Sequence, residues 1–298
     1  MSGLRERLAR GQVLLSDGAM GTLLLQRGLK PGQAPEALNL DRPELLAEIA
    51  AAYAAAGSDL VHTNSFGGSP LKLAAHGLQA QAEAINRAAA QAAVQGAAGR
   101  AIVSGSIGPC GQLLQPYGDA DPEQVKAGFL LQARALLAGG CQALTIETMS
   151  DVTEAVLAVQ AARQAGPLAP ILATMTFDPT PRGWFTIMGQ DIPTVAASLQ
   201  EAGADVVGAN CGQGPAGLLE IAREFAAACQ LPLMIQANAG LPELRDGQVV
   251  YPATPADMAA YLPALVDAGV RIVGGCCGTT TEHIAAMRRA LDSSGSPR

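Results

Sequence analysis

The segment ALTIETMSDVTEAVLAVQAARQA (143–165) contains the structural unit that recurs along the chain. Its first part, ALTIET, is a short apolar run of the kind that forms a buried strand, and it ends in two polar residues. Residues 151–165 are rich in alanine and have helical character. The segment therefore predicts one strand followed by one helix, joined by a short polar loop.

The number of such units determines the predicted fold. The eight strand candidates are VLLSD (13–17), LVHTNS (60–65), AIVSGSIG (101–108), ALTIET (143–148), ILATMTF (171–177), VVGANC (206–211), LMIQANA (233–239) and RIVGGCC (271–277). The helix candidates are 43–56, 79–95, 122–138, 151–165, 192–202, 216–228, 256–268 and 281–291. Eight strand–helix units in 298 residues are the count and size of a (β/α)₈ barrel. We predict an α/β fold, a (β/α)₈ TIM barrel that forms a single domain over residues 1–298.

A doubly wound open sheet is the alternative architecture. Such a sheet normally carries a G-x-G-x-x-G phosphate fingerprint after its first strand. The corresponding turn here is DGAMGT (17–22), which lacks that pattern. The barrel is therefore the preferred interpretation.

Composition and charge exclude several classes of function. Aromatic residues make up only 3% of the chain, the net charge is −7, and no basic cluster stands out, so nucleic acid is not an expected partner. The N-terminal segment MSGLRERLAR is not followed by the apolar run of a secretory signal. No apolar run approaches the length of a bilayer span. We expect a cytoplasmic protein with no membrane partner.

Polar residues end the predicted strands, at the face of a barrel where catalytic groups lie. The residues that we select there are Asp17, Gly18, Asn64, Ser106, Glu147, Cys211, Asn238, Cys276 and Cys277. They include acids, amides, a hydroxyl and thiols, all on one rim. This rim is the predicted active site.

Three of these residues are cysteines that should converge. Cys211 ends the sixth strand, whereas Cys276 and Cys277 end the eighth, so their strand axes lie about 10 Å apart. The flanking glycines allow the backbone to turn both adjacent thiols toward one point. Clustered cysteines in a large chain without a secretory signal are more often metal ligands or catalytic groups than disulfides.

Three soft thiolates favour zinc, and three protein ligands with an open position are typical of a catalytic zinc site. Zinc with three thiolates carries a net charge of about −1, which makes it a poor Lewis acid for hydrolysis. It can still bind a substrate thiol as a nucleophilic thiolate, so alkylation of sulfur is the expected chemistry. Asn238 is the candidate for a resting fourth ligand through its amide oxygen.

Each of these signals has an alternative interpretation. Cys276 and Cys277 could be two small core residues or a vicinal disulfide, and the glycines before them could form a phosphate site at a helix N-terminus. Glu147 could be an exposed loop acid, and Asp17 could cap a turn with the glycine that follows. His62 is expected to be a core histidine with satisfied hydrogen bonds rather than a metal ligand.

Several motifs, taken together and in order, resemble the homocysteine S-methyltransferase family. They are DGAMGT (17–22), TNSFG (63–67), GSIGP (105–109), ETMSD (147–151), ANC (209–211), QANAGLPE (236–243) and GGCCGTT (274–280). The similarity covers nearly the whole chain. Through QANAGLPE and TNSFG it is closest to the branch that includes the homocysteine-binding module of cobalamin-dependent methionine synthase.

The resemblance implies a zinc ion on Cys211, Cys276 and Cys277, with the sulfur of homocysteine as the fourth ligand. It also implies that Glu147 receives the substrate ammonium and that the Asp17–Gly18 turn helps to hold the amino-acid end. Because they end strands on the same rim, Asn64, Ser106 and Asn238 complete the predicted substrate-binding set.

The expected methyl donor follows from what the chain lacks. No second barrel for a folate donor follows, and no D-x-H-x-x-G corrinoid-binding motif occurs. We expect methylcobalamin carried by a separate corrinoid protein, unless the chain is a fragment of a longer protein. The alternatives are the same chemistry with a sulfonium donor such as S-methylmethionine or with betaine, and a non-catalytic zinc barrel that docks a corrinoid protein.

Overall fold

The computed structural model describes residues 3–30, 32–245 and 248–293. The strands in these ranges are β1 (Leu14–Leu15), β2 (Leu60–His62), β3 (Ile102–Ile107), β4 (Ala143–Met149), β5 (Ile171–Met175), β6 (Asp178–Thr180), β7 (Gly183–Phe185), β8 (Val206–Asn210), β9 (Leu233–Ala237), β10 (Glu243–Arg245), β11 (Gln248–Val250) and β12 (Val270–Gly275). The helices are α1 (Leu4–Ala9), α2 (Met20–Gln26), α3 (Leu38–Asp41), α4 (Pro43–Ala56), α5 (Pro70–Ala74), α6 (Ala82–Ala97), α7 (Pro122–Ala138), α8 (Val152–Ala165), α9 (Ile192–Ala202), α10 (Pro215–Ala228), α11 (Pro255–Ala260), α12 (Leu262–Asp267) and α13 (Thr281–Ser293).

Eight of the strands form one parallel sheet that closes into a barrel. Their order is β1–β12–β9–β8–β5–β4–β3–β2. A parallel bridge between Ser16 and Leu60 joins the two ends, and the Asp59 N–H donates to the Leu15 carbonyl at 2.6 Å. The predicted single-domain (β/α)₈ TIM barrel is therefore confirmed, and each of its strands lies at one of the eight predicted positions.

All eight predicted helices are present, one of them in two parts, whereas the short helices α1, α2, α3 and α5 were not predicted. The helices predicted over 43–56, 122–138 and 192–202 have those bounds. The helix predicted over 256–268 is instead divided into α11 and α12, because Pro263 has no N–H to continue the hydrogen-bond ladder. Within the described ranges, no helix combines the length and the apolar character needed to cross a membrane.

Two short hairpins extend from the barrel and were not predicted. The pair β6–β7 follows β5, and the pair β10–β11 follows β9. Each strand has three residues, which is too short for an alternating pattern to be recognised in the sequence. Both hairpins lie on the face where the predicted site residues end their strands.

The barrel interior changes from apolar to polar along its axis. The lowest layer takes one apolar residue from each strand: Leu14, Leu60, Ile102, Ala143, Leu172, Val206, Met234 and Ile272. Leu4 of α1 packs against this layer and covers the bottom of the barrel. Two residues further along the strands the residues are Ser16, His62, Ser104, Thr145, Thr174, Gly208, Gln236 and Gly274. Because alternate residues on a strand point the same way, this second layer places buried polar groups directly below the rim.

Small residues set the distance between neighbouring helices, and Gly96 of α6 shows how closely they pack. A Cβ atom at Gly96 would lie 2.1 Å from the carbonyl oxygen of Ala47 and 2.9 Å from the Cβ atom of Ala50, both in α4. No side chain can move aside to relieve the clash with the Ala47 carbonyl. The contact between α4 and α6 therefore requires glycine at this position.

We expect Gly96→Ala to lower the free energy of unfolding by about 2–4 kcal/mol, because an overpacked backbone contact forces the two helices apart. Gly21→Ala is the matched control, since Gly21 is exposed in α2 and a Cβ atom there would contact nothing within 4 Å. The control should leave stability unchanged or raise it by up to about 1 kcal/mol. Urea unfolding followed by circular dichroism measures both changes, and equal stability of the two variants would contradict this account of the packing.

Candidate functional site

The carboxyl ends of the barrel strands surround a cavity of about 290 Å³, near the lower end of the roughly 300–1,000 Å³ usual for small-molecule sites. Its wall includes Gly18 to Thr22, His62 to Phe66, Ser106, Glu147, Thr148, Cys211, Gln236 and Gly275 to Cys277. Seven predicted site residues therefore line one cavity: Gly18, Asn64, Ser106, Glu147, Cys211, Cys276 and Cys277. Two others, Asp17 and Asn238, are buried behind the wall.

The structure brings the three predicted metal-binding thiols together. The sulfur atoms of Cys211, Cys276 and Cys277 lie within 4.8 Å of one another, and Cys211 Sγ is 3.7 Å from Cys277 Sγ. Two thiolates on a tetrahedral zinc ion are about 3.8 Å apart, so this spacing fits shared coordination of one ion. All three are free thiols, not a vicinal disulfide. The trio therefore fits a zinc ion in both donor chemistry and geometry.

The turn that carries Cys276 and Cys277 depends on the glycines at its two ends. A Cβ atom at Gly275 would lie 2.3 Å from Thr279 Oγ1, and one at Gly278 would lie 2.3 Å from the ring of Tyr251. Gly278 also has φ +80°, which favours glycine. The glycines thus allow a close approach of the turn to its neighbours, in addition to the predicted turning of both thiols toward one point.

The protonation of the trio also favours a bound cation. Hydrogen bonds from the thiols of Cys211 and Cys276 lower the pKa of Cys277 to about 3. The hydrogen bonds that Cys276 makes to Cys211 and Cys277, together with its burial, raise its own pKa well above the usual range. The protein alone therefore stabilises one thiolate and disfavours a second, and a divalent cation would supply the charge that three thiolates require.

Asn210 links the thiol trio to the strand that carries Glu147. Its side-chain oxygen accepts hydrogen bonds from the Thr148 N–H at 2.7 Å and from Thr174 Oγ1 at 2.8 Å. Its amide nitrogen donates to Thr148 Oγ1 at 2.7 Å and approaches Cys276 Sγ at 3.8 Å. Thr148 and Cys211 each have φ +60°, an uncommon conformation for residues with a side chain. Asn210 thus binds one of these strained positions, Thr148 on β4, and directly precedes the other, Cys211, in the chain.

Glu147, the acid predicted to bind the substrate, lies on the cavity wall. Burial raises its pKa, whereas the charge of His62 and a hydrogen bond from Ser106 act in the opposite direction. The Ser106 hydroxyl donates to Glu147 Oε1, so the predicted site residue Ser106 orients the carboxylate. A second acid on the cavity wall, Glu36, already accepts the Gly67 N–H at 2.7 Å.

Asp17 forms a buried ion pair with His62. One carboxylate oxygen lies 2.7 Å from His62 Nδ1, and the other accepts the His62 backbone N–H at 2.7 Å. Burial by itself would lower the pKa of His62, but the charge of Asp17 and its hydrogen bond outweigh that effect and raise the pKa to about 9. The second ring nitrogen of His62 lies 3.1 Å from Thr145 Oγ1. His62 is thus the satisfied core histidine that was expected, and its partner is the predicted site residue Asp17.

The two predicted asparagines differ in their hydrogen bonding. Asn64 donates to the Pro35 carbonyl at 2.8 Å and to Asn39 Oδ1 at 3.0 Å, so its amide group already connects the cavity wall to the segment before α4. Asn238 follows β9, and its Oδ1 is buried without a hydrogen-bond partner in the described part of the chain. This oxygen has unused acceptor capacity, and Asn238 lies behind the cavity wall rather than on it.

Sequence reasoning missed Asn210, Tyr251 and the role of His62. Asn210 and His62 could have been found from the strand alternation, because each lies two residues from another inward-facing position. Tyr251 follows the unpredicted hairpin β10–β11, and its side chain lies close enough to Cys277 to lower the pKa of that thiol. No local pattern signals that contact, because it joins segments 26 residues apart through the fold of a loop.

The chain is similar to known homocysteine methyltransferases in both sequence and structure. A family model described as homocysteine S-methyltransferase matches residues 14–291. The methionine synthases of Mycobacterium leprae and Mycobacterium tuberculosis are 32% and 31% identical over 97% and 94% of this chain, which spans 25% of each. The metallated form of the homocysteine methyltransferase MmuM from Escherichia coli is 26% identical, with a TM-score of 0.81 over 96% of this chain and 99% of that one.

We expect Asn210→Ala to lower the free energy of unfolding by about 2–4 kcal/mol, because the half-buried Thr148 N–H and the buried Thr174 hydroxyl lose their acceptor, and the strained Thr148 backbone loses its hydrogen bonds. Thr174→Val is the control, since it removes a single donor to the same oxygen and should cost about 1 kcal/mol. Chemical denaturation of the metal-free proteins measures both values. A smaller loss for Asn210→Ala than for Thr174→Val would show that Asn210 does not have this supporting role.

Proposed function

The chain belongs to the homocysteine S-methyltransferase family, and on that premise we propose that it methylates homocysteine to methionine at a zinc ion held by Cys211, Cys276 and Cys277. The observation that carries the proposal is the convergence of three sulfurs within 4.8 Å on the wall of a cavity that also presents Glu147. The further proposal that residues 1–298 act as one homocysteine-binding unit agrees with a family match over residues 14–291.

When bound, a zinc ion supplies the positive charge that lowers the pKa of a substrate thiol from about 8.5 and makes thiolate available near neutral pH. The three cysteines hold that ion and leave one position for the substrate sulfur. Asn238 is proposed as the ligand of the resting site, and its buried, unpartnered Oδ1 supports that role. The product is a neutral thioether, which binds the site weakly and is released.

Glu147 is proposed to receive the ammonium group of homocysteine. The carboxylate is buried on the cavity wall, and the charge of Cys277 contributes to its raised pKa, so it lies near the thiol trio. Ser106 holds one of its oxygens, which leaves the other free for the substrate. A buried ammonium needs such a carboxylate, because an unpaired charge away from water is costly. Asp17 acts from behind the wall through His62. Gly18 lies on the wall, where a Cβ atom would come within 2.7 Å of Thr279 Oγ1, so its role is to hold the turn close to that residue.

The proposed methyl donor is methylcobalamin carried by a separate corrinoid protein. The QANAGLPE and TNSFG segments support this choice, as does the higher identity to the mycobacterial methionine synthases than to E. coli MmuM. Among the described cavity residues Phe66 is the one phenylalanine, and no tyrosine or tryptophan joins it, so an aromatic cage for betaine is not present there. The cytoplasmic location stays a prediction.

We expect Cys211→Ala to abolish stoichiometric zinc binding and methyl transfer together, because two thiols cannot complete the site. Cys229→Ala is the matched control, since Cys229 is a half-buried free thiol outside the trio. Zinc is measured by metal analysis after dialysis, and methionine is measured by mass spectrometry. Full activity in a zinc-free Cys211→Ala protein would exclude the proposed mechanism.

We expect Glu147→Gln to raise the KM for homocysteine by about 10–100-fold while zinc content stays unchanged, since a charge-assisted hydrogen bond is lost. The control is Glu201→Gln, which changes an exposed glutamate on α9. Steady-state kinetics with varied homocysteine provides the comparison. An unchanged KM would remove Glu147 from the substrate site and leave the zinc assignment intact.

The donor is tested separately by supplying homocysteine with free methylcobalamin, S-methylmethionine or betaine and measuring methionine. We expect turnover with methylcobalamin. Turnover with S-methylmethionine alone would show that the enzyme uses a sulfonium donor. Turnover with betaine alone would contradict its assignment to the branch that resembles cobalamin-dependent methionine synthase.

A further inference from the structure

Phe66 is the one exposed side chain on the described wall of the cavity. The other cavity residues are buried or half-buried, apart from Gly21, which is exposed but has no side chain. Phe66 is 39% exposed, whereas the nearby wall residues Asn64 and Ser106 are 6% and 2% exposed. The phenyl ring therefore lies at the mouth of the cavity, and the polar groups lie deeper.

The backbone that carries Phe66 is a hydrogen-bonded turn. Phe66 and Gly67 are its two central residues, and the Gly68 N–H donates to the Ser65 carbonyl at 2.9 Å. The Phe66 carbonyl accepts the Gly108 N–H at 2.9 Å, which ties the turn to the end of β3. The turn thus belongs to the barrel framework and is not a free loop.

Two buried amide side chains anchor the same turn from the helices behind it. Asn86 of α6 donates to the Gly68 carbonyl at 2.7 Å, and Gln132 of α7 donates to the Ser65 carbonyl at 2.7 Å. Both side chains are 0% exposed. Because these bonds would have to break before the turn could move, the position of the ring is fixed in advance of ligand binding.

Gly108 provides the surface against which the ring packs. A Cβ atom at Gly108 would lie 2.4–2.6 Å from three carbons of the Phe66 ring, so the ring rests directly on the backbone at this glycine. One side of the ring is therefore covered by protein, and the other side remains open to solvent. A rigid aromatic group with an open side is a contact that loses little entropy when a ligand covers it.

The size of the cavity indicates which ligand covers the ring. Homocysteine is small and polar at both ends, and it suits the buried wall of a cavity of about 290 Å³. Methylcobalamin is several times larger than homocysteine, so its corrin ring cannot enter this cavity and must stay at the mouth. A corrin ring is flat and carries methyl groups along its edge, which makes it a suitable partner for an aromatic side chain.

The strand order places Phe66 where such a flat group would reach it. Phe66 follows β2 and Cys211 follows β8, and β8 is the fourth strand from β2 in either direction around the barrel. A flat group that covers the mouth above the thiols therefore extends to Phe66 on the opposite side. We propose that Phe66 makes an apolar contact with the corrin ring of the methyl donor and takes no part in holding homocysteine. This inference rests on the proposed function, since methylcobalamin is the donor proposed there.

The experiment measures donor and substrate separately in zinc-loaded full-chain protein. Free methylcobalamin is the donor probe, and its KM is measured at saturating homocysteine. Its dissociation constant is measured without homocysteine by equilibrium dialysis, a readout that requires no turnover. The dissociation constant of homocysteine is measured by calorimetry. Zinc content and the thermal midpoint show whether each variant is folded.

We expect Phe66→Ala to raise the KM and the dissociation constant of methylcobalamin at least about tenfold, because the burial of a phenyl group against the donor is lost. The dissociation constant of homocysteine should change by less than about twofold. Phe66→Tyr keeps the aromatic ring and should restore donor binding to within about threefold. Tyr117→Ala is the matched control, since Tyr117 is 76% exposed on the loop between β3 and α7, and all its values should stay within about twofold.

Gly108→Ala tests the same contact while Phe66 itself is kept. The added Cβ atom would displace the ring from its place, so donor binding should weaken in the same direction as in Phe66→Ala. If Phe66→Ala does not fold, the comparison of Gly108→Ala with the unsubstituted protein decides the question.

Unchanged donor binding in the variants would overturn the inference, and so would a loss of homocysteine affinity as large as the loss of donor affinity. In the second case the ring would belong to the substrate site. Failure of the unsubstituted protein to methylate homocysteine from methylcobalamin would contradict the proposed donor, and this inference with it. A failure confined to the variants would overturn the role of Phe66 alone, so the two failures are distinguished.

Discussion

The buried ion pair between Asp17 and His62 is the interaction on which the interior of the barrel depends. Both side chains are almost fully buried, so each charge requires its partner, and removing one would leave the other unpaired. Both oxygens of Asp17 are engaged by His62, which also contacts Thr145 on its far side. Because Asp17 can only accept hydrogen bonds, the pair determines the direction of the neighbouring ones. A structural charge pair therefore sets the orientation of groups on the cavity wall.

Above this pair, the architecture separates two kinds of chemistry across one cavity. Sulfur donors lie at the ends of β8 and β12, on either side of β9, whereas the Glu147 carboxylate lies near the end of β4, which β5 separates from β8. A small molecule with a thiol at one end and an ammonium at the other matches this division. The apolar floor below, closed by Leu4, isolates the polar layers from solvent and makes their electrostatic interactions stronger than they would be in water.

The two strained backbone positions of the site, Thr148 and Cys211, lie next to a buried hydrogen-bonding side chain, Asn210. Thr148 and Cys211 both adopt positive φ at the ends of barrel strands, and both lie beside Asn210. The turn at Cys211 moves its thiol out of the regular strand direction and toward the pair on β12. Positions of this kind persist only where their surroundings over-determine them. The fully buried Asn210 amide, with its contacts to β4, β5 and Cys276, provides that constraint.

The sequence by itself determined the barrel, its eight strand positions and most of the residues on its rim, because strand alternation, helical periodicity and turn chemistry are local properties. It also predicted that Cys211 would meet Cys276 and Cys277, since the order of parallel strands places their ends together. The tertiary structure alone decided that Asp17 pairs with His62 and that Asn210 joins β8 to β4 and β5. These features depend on the directions of side chains and on hydrogen bonds between segments far apart in the chain, which no local pattern encodes.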